Sequence, residues 1–306
     1  MEGKLLEFQW RRIIEKVLNI GIEDLIQLTL STQDLCVIAE EDVYQSISMI
    51  PLISETLIGC TIRCHTPLEY CRYIAPYRDL DKIIILIDES EKITPQMKNL
   101  IDICRIMKFE VIAVLFKEMG LELKKIIMPK TIQLKIHDIK DDLEKSIVAL
   151  TLMIKVISEA AIKRSSNPRA KDIIQELNNM EIMVNETEEL KNILNTLTNE
   201  RIKYIFSDHI LFGILKVIMK KIVKNGEYKF ELYRIDDHPK TTEKIKEVVD
   251  AIVFSSEVEE DLAKQICNYI KFKGGKTYEY IEKGEPILTP LKLSIKALKI
   301  IKSNKF

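Results

Sequence analysis

IIILIDESEKITPQMKNLIDICRIMKFEVIAV, residues 83–114, holds three structural elements in a row. Its opening run is apolar at every position from Ile83 to Ile87, whereas a half-exposed strand would alternate. Such uniformity belongs to a strand covered on both faces. Apolar residues then recur at helical spacing over 94–107, and FEVIAVL (109–115) returns to a strand pattern. A strand, a helix and a second strand in this compass form a crossover unit, which joins parallel neighbours with a right hand. A parallel sheet is expected.

Working outward, DLCVIA (34–39), GCTIRC (59–64) and TIQLKI (131–136) read as further strands, with helical spacing over 43–58 and 118–127 and a long apolar helix over 143–162. The charged, serine-containing stretch AIKRSSNPRAK (161–171) marks a boundary, and 172–198 reads as helix. A second strand series follows at 202–207 (IKYIFS), 229–233 (KFELY), 250–255 (DAIVFS) and 276–281 (KTYEYI), with a closing helix over 290–302. Strand centres near 37, 62, 85 and 113 face centres near 205, 231, 253 and 278. The near-constant offset, about 168 positions, marks an internal duplication. The expected fold is α/β: two tandem three-layer α/β/α sandwiches with mainly parallel sheets, over 30–165 and 166–306, behind an N-terminal helical segment, 1–29.

The 46 basic residues against 47 acidic leave a formal charge of −1, so no overall field draws the chain to nucleic acid. Glycine is scarce, 9 of 306 residues, and neither a Gly-x-Gly-x-x-Gly nor a Gly-x-x-x-x-Gly-Lys-Ser/Thr motif occurs. Ordinary dinucleotide-binding and P-loop chemistry is excluded, and no cofactor is expected. Six scattered cysteines and an opening MEGKLLEFQWRR without an apolar core give the expectation of a cytoplasmic protein with reduced thiols. No membrane partner is expected, because every apolar run falls short of the length that spans a bilayer.

The tandem architecture and two segments resemble the SIS (sugar isomerase) family, particularly the isomerase half of glutamine–fructose-6-phosphate transaminase. LEYCRY (68–73) is similar to the family's Ser-Glu-Phe-Arg-Tyr, and 83–114 is similar to its strand, Ser-x-Ser-Gly-Glu-Thr loop, helix and strand. In the family that loop offers hydroxyls and helix N-terminal N–H groups to a sugar phosphate. Here the matching positions read Asp88, Glu89, Ser90, Glu91, Lys92, Ile93, with Thr94 next. The family's Gly-Thr-Ser turn after the first strand is replaced by Ala39, Glu40, Glu41 and Asp42, and its Val-Ala-Ser-Thr-Lys by Asp141, Asp142, Leu143, Glu144 and Lys145. At about 4 Å and a surface-like dielectric, each like-charge contact opposes a phosphate by on the order of 4 kcal/mol. Each acidic cluster also reads as an ordinary solvated helix start.

In the second half the resemblance places the family's lysine at Lys220, with Lys221 where the proton-transferring glutamate belongs, so that base is missing. The family histidine falls on His238 in DDHP (236–239) after a one-residue slip. Lys302 and Lys305 are weak substitutes for its tail lysine. Candidate catalytic residues are therefore His238, Lys220 and Glu89, and the ligand cleft would use Asp88, Ser90, Thr94, Glu41, Lys145 and His209. The resemblance also implies a homodimer, and the apolar character of 143–162 adds to that expectation.

Cys60, Cys64, His65 and Cys71 follow no common zinc spacing, and no metal is expected. Ser207-Asp208-His209 ends a strand, where Asp208 reads as a helix cap, and Gly274-Gly275 read as a helix terminus. The expectation for function is a carbohydrate-derivative-binding protein, with a small sugar derivative as ligand, that has lost phosphosugar isomerisation. The alternatives are an isomerase or deaminase-type enzyme for a non-phosphorylated or amino sugar, and an inactive partner subunit.

Overall fold

The computed structural model describes residues 12, 14–78, 82–87, 93–116, 132–135, 139, 141–180, 187–197, 202–223, 230–237 and 250–304. The chain divides into two compact units, one over residues 11–178 and one over 179–306.

The first unit holds β1 (Asp34–Ala39), β2 (Thr61–His65), β3 (Lys82–Ile87), β4 (Glu110–Leu115) and β5 (Ile132–Lys135) in the order β2-β1-β3-β4-β5, every pair parallel. Its helices are α1 (Glu23–Leu30), α2 (Glu41–Ser46), α3 (Ile50–Ile58), α4 (Pro95–Met107), α5 (Asp142–Ser165) and α6 (Pro168–Asn178). Ile83, Ile85 and Ile87 of β3 pack against Met97, Leu100, Ile101 and Cys104 of α4. Ile84 and Leu86, which point to the other face, are just as buried. The uniformly apolar run is thus a strand enclosed on both sides.

The second unit holds β6 (Ile202–Ser207), β7 (Glu231–Arg234), β8 (Asp250–Ser256) and β9 (Thr277–Glu282) in the order β7-β6-β8-β9, again all parallel. With them run α7 (Glu188–Thr196), α8 (His209–Val223), α9 (Glu260–Phe272) and α10 (Thr289–Asn304). Ala263, Ile266, Cys267 and Ile270 of α9 cover Phe206, Ala251 and Val253.

The duplication is visible in register as well as in order. The strands that start at Asp34, Thr61, Lys82 and Glu110 recur at Ile202, Glu231, Asp250 and Thr277. Asp34 faces Thr61 as Tyr204 faces Glu231, and the two partners are equally far apart along the chain in both units. The same holds for Val37 facing Ile84 and Phe206 facing Val253.

Several local expectations shift, each for a physical reason. The stretch 43–58 forms two helices, because Pro51 is tolerated in the first turn of α3 but would break a continuous helix. Gly59 adopts φ +61° as the left-handed terminus of α3, so β2 starts at Thr61 instead of residue 59. The boundary proline, Pro168, opens α6, whose start is capped by Asn167 accepting from the Ala170 N–H (3.2 Å). Because α6 packs on α5, the division between units falls after Asn178, not at the expected 165/166. The expected helix over 172–198 is represented by α6 and α7, and the one over 118–127 lies outside the described residues.

Helix α5 is the most enclosed of the first unit's described helices, with α1, α2, α3 and α6 packed around it. Its apolar surface is therefore accounted for by the chain's own helices, and it lends no support to the expected homodimer. No described helix is long and apolar enough to cross a membrane.

Candidate functional site

In the order β2-β1-β3, the chain leaving β1 turns one way and the chain leaving β3 the other, which opens a crevice beyond their carboxyl ends. Ligands of open α/β sheets sit at such switch points. The order β7-β6-β8 repeats the arrangement between β6 and β8.

At the first switch point, Glu40 follows directly on β1 and occupies the cap position of α2. Thr94, at the cap of α4, donates its hydroxyl to Glu40 Oε1 (2.9 Å) and accepts from the Met97 N–H (3.2 Å). The carboxylate and the hydroxyl are thereby joined across the crevice. Exposed Glu41 accepts from Gln45 Nε2 (2.7 Å). Burial pushes up the Tyr44 phenol, with the carboxylates of Glu69 and Glu41 adding to the effect. Glu69 belongs to the turn after β2, where it and Thr66 cap each other. Glu40, Glu41 and Glu69 thus place three carboxylates at the carboxyl ends of β1 and β2. Asp88, Glu89, Ser90, Glu91 and Lys92 lie outside the described residues. Lys145 sits in the first turn of α5, its ammonium 3.1 Å from Asp142 Oδ1, a contact within its own helix.

At the second switch point, the offset that relates the units carries Glu40 onto Asp208. Asp208 is fully buried. Its Oδ1 accepts from the Leu211 N–H (2.7 Å), which caps α8 as the sequence pattern indicates, and its Oδ2 accepts from the Ser256 N–H and hydroxyl (2.6 Å each). Burial pushes this carboxyl above its ordinary value while those hydrogen bonds pull it back. His209 is exposed at the start of α8. Its backbone N–H supports the carboxylate of half-buried Glu259, whose pKa is raised by burial and then by Asp208 and Asp236. The guanidinium of Arg234, at the end of β7, is held by Asp236. The Gly284 N–H, after β9, donates to Glu257 (2.9 Å).

The other candidates are placed elsewhere. Lys220 lies in the last turn of α8, some three turns and about 16 Å along the axis from His209 at the strand ends. Lys302 is in the last turn of α10, while Lys305 and His238 lie outside the described residues. Among the described residues no three His, Cys, Asp or Glu side chains gather as a metal site. Burial pushes the thiols of Cys64 and Cys71 up, the latter to about 11, so they are thiols at neutral pH.

Two residues at the second switch point, Ser256 and Glu259, and one buried ion pair away from it carry no motif of their own. Ser256 and Glu259 could have been located by applying the repeat offset to the first switch point. No sequence signal identifies the third feature: Lys296 of α10, buried against Glu282 (2.8 and 3.0 Å) and Tyr280 Oη (3.1 Å) of β9.

No family model and no curated protein sequence matches the chain. Solved structures do match it along its whole length. The C-terminal domain of glucosamine-fructose-6-phosphate aminotransferase from Francisella tularensis superposes with a TM-score of 0.70 at 11% identity, over 98% of this chain and 94% of that one. Glucosamine-6-phosphate deaminase from Thermotoga maritima gives 0.66 at 11% identity, over 100% and 94%. Tagatose-6-phosphate ketose/aldose isomerase from Escherichia coli gives 0.65 at 7% identity, over 99% and 93%. The fold is the tandem SIS fold of these proteins. LEYCRY has one residue more than the family's Ser-Glu-Phe-Arg-Tyr, and Tyr70–Ile74 forms a single π-helical turn, the geometry that absorbs an inserted residue.

Proposed function

We propose that this chain, built on the fold of sugar-phosphate isomerases and deaminases, binds a carbohydrate derivative without a phosphate group and does not carry out phosphosugar isomerisation. One observation supports this reading above the others: a carboxylate stands at each switch point, Glu40 joined to Thr94 and Asp208 to Ser256. A phosphate dianion would meet like charge in both places, whereas sugar hydroxyls and ammonium groups are what a carboxylate-lined crevice attracts. Glu40 is half-buried and already accepts from a hydroxyl, so a ligand hydroxyl can take the place of Thr94.

The test is a thermal-shift comparison of glucosamine, fructose and their 6-phosphates, since a ligand that binds only the native state raises its stability by RT ln(1 + [L]/Kd). A non-phosphorylated sugar should raise the melting temperature, and Glu40→Gln should diminish that shift. Stabilisation by the phosphate esters alone would contradict the reading.

A second reading, an enzyme for a neutral or amino sugar, is favoured by Glu259. A half-buried carboxyl with an elevated pKa, held by the His209 backbone N–H at the strand ends, is suited to acid–base work. Under that reading Glu259→Gln abolishes turnover and leaves sugar binding intact.

A further inference from the structure

Helix α9 carries apolar residues on two sides. Ala263, Ile266, Cys267 and Ile270 face the sheet, and a surface helix covered on that side is ordinarily polar on the rest of its circumference. Yet Val258, just ahead of the helix, Leu262 and Phe272 are 63%, 41% and 86% exposed, and Tyr269 is only partly buried. With exposed Gln265 at the centre, these positions fall four, three, four and three residues apart, the spacing that presents one seam to another helix. At 1.5 Å per residue the seam runs about 21 Å. Single exposed apolar residues need no explanation, whereas a continuous row of them marks a contact.

The charges flanking the row show what it fits. Glu257, Glu260 and Asp261 stand at its start, and Lys271 and Lys273 at its end. Acids at a helix start and bases at its end suit the helix's own dipole, which accounts for their placement but not for the apolar row between them. A face with one sign at each end is complementary to itself when turned end for end. The acidic turn of one copy then meets the basic turn of the other, Val258 meets the partner's Phe272, and Gln265 lies on the two-fold axis. Such a contact is isologous and closes at two copies. A parallel arrangement would set like charge against like.

We propose that the outer face of α9 is covered by a second copy of this chain, the two helices lying antiparallel about Gln265. The inference is independent of the sugar-binding reading. One helix pair is small beside the about 800 Å² per partner of an ordinary stable interface, so a dissociation constant on the order of 10 μM is expected.

The experiment is sedimentation equilibrium of the full chain over roughly 1 to 200 μM, a range that brackets this affinity. The native chain should pass from monomer to dimer within it. Phe272→Asp, at a position too exposed to disturb folding, should keep the native melting temperature and weaken association roughly tenfold or more. Asp261→Lys sets a cation against the partner's Lys271 and Lys273 and should weaken association roughly fivefold. Adding Lys271→Glu and Lys273→Glu to Asp261→Lys reverses both ends of the face and should return the dissociation constant to within roughly twofold of the native value. The proposal is overturned if the native chain stays monomeric throughout the range, if it dimerises with an affinity that Phe272→Asp leaves unchanged, or if the triple variant associates no better than Asp261→Lys.

Discussion

Glu259 shows how a single side chain at the strand ends connects burial to pH. Its folded-state pKa is raised by burial and by the Asp208 and Asp236 carboxylates, so ionisation is costlier in the folded protein than in the unfolded chain. The sign follows directly: the stability associated with the protonated form is fully present below the unfolded value, about 4.3, and is lost as pH rises through the elevated folded value. Glu259→Gln should therefore unfold at a higher temperature than the native protein at neutral pH and at the same temperature near pH 4. A difference independent of pH would contradict this account. Asp208 was legible in the sequence as a cap because an aspartate stands directly before a helical apolar pattern. Glu259 was not, since acids after a strand most often form a solvated helix start. What distinguishes Glu259 is its position between two other carboxylates, a property of the folded unit alone.

Among the elements, β9 and α10 are joined by the most enclosed ion pair described. Lys296 and Glu282 are 2.8 Å apart with side chains 9% and 3% exposed, and the Tyr280 hydroxyl donates to the same carboxylate (2.6 Å). Desolvation offsets most of the attraction in such a pair, but removing one partner leaves a buried charge without its counterpart. Lys296→Met should destabilise by about 3–5 kcal/mol, and adding Glu282→Gln should recover part of that loss, because a neutral amide still accepts from Tyr280. Additive losses in denaturant unfolding would show that the pair does not act as a unit. Elements of this kind were only partly legible. β3 was plain because Ile83 to Ile87 leave no alternative to two-sided cover. The division of 43–58 into α2 and α3 depended on where Pro51 fell within a turn. A lysine on a helix reads as solvated until a facing strand supplies its carboxylate.

For the molecule as a whole, the duplication was legible because both units place strands at the same intervals, and the matched registers carry that spacing into hydrogen-bonded pairs. The chemistry was less legible. A carboxylate near a strand end is a solvated cap or a crevice lining according to which neighbouring loop donates to it, and for Glu40 that donor, Thr94, follows the adjacent strand β3 but lies two strands further along the sequence. The central claim is that these carboxylates exclude phosphorylated sugars from a fold whose structural neighbours include sugar-phosphate enzymes. Calorimetric titration of the purified chain with fructose 6-phosphate and glucosamine 6-phosphate tests it most directly. The account predicts no heat of binding at millimolar ligand for either ester, and saturable binding of either one at millimolar or lower concentration would contradict it.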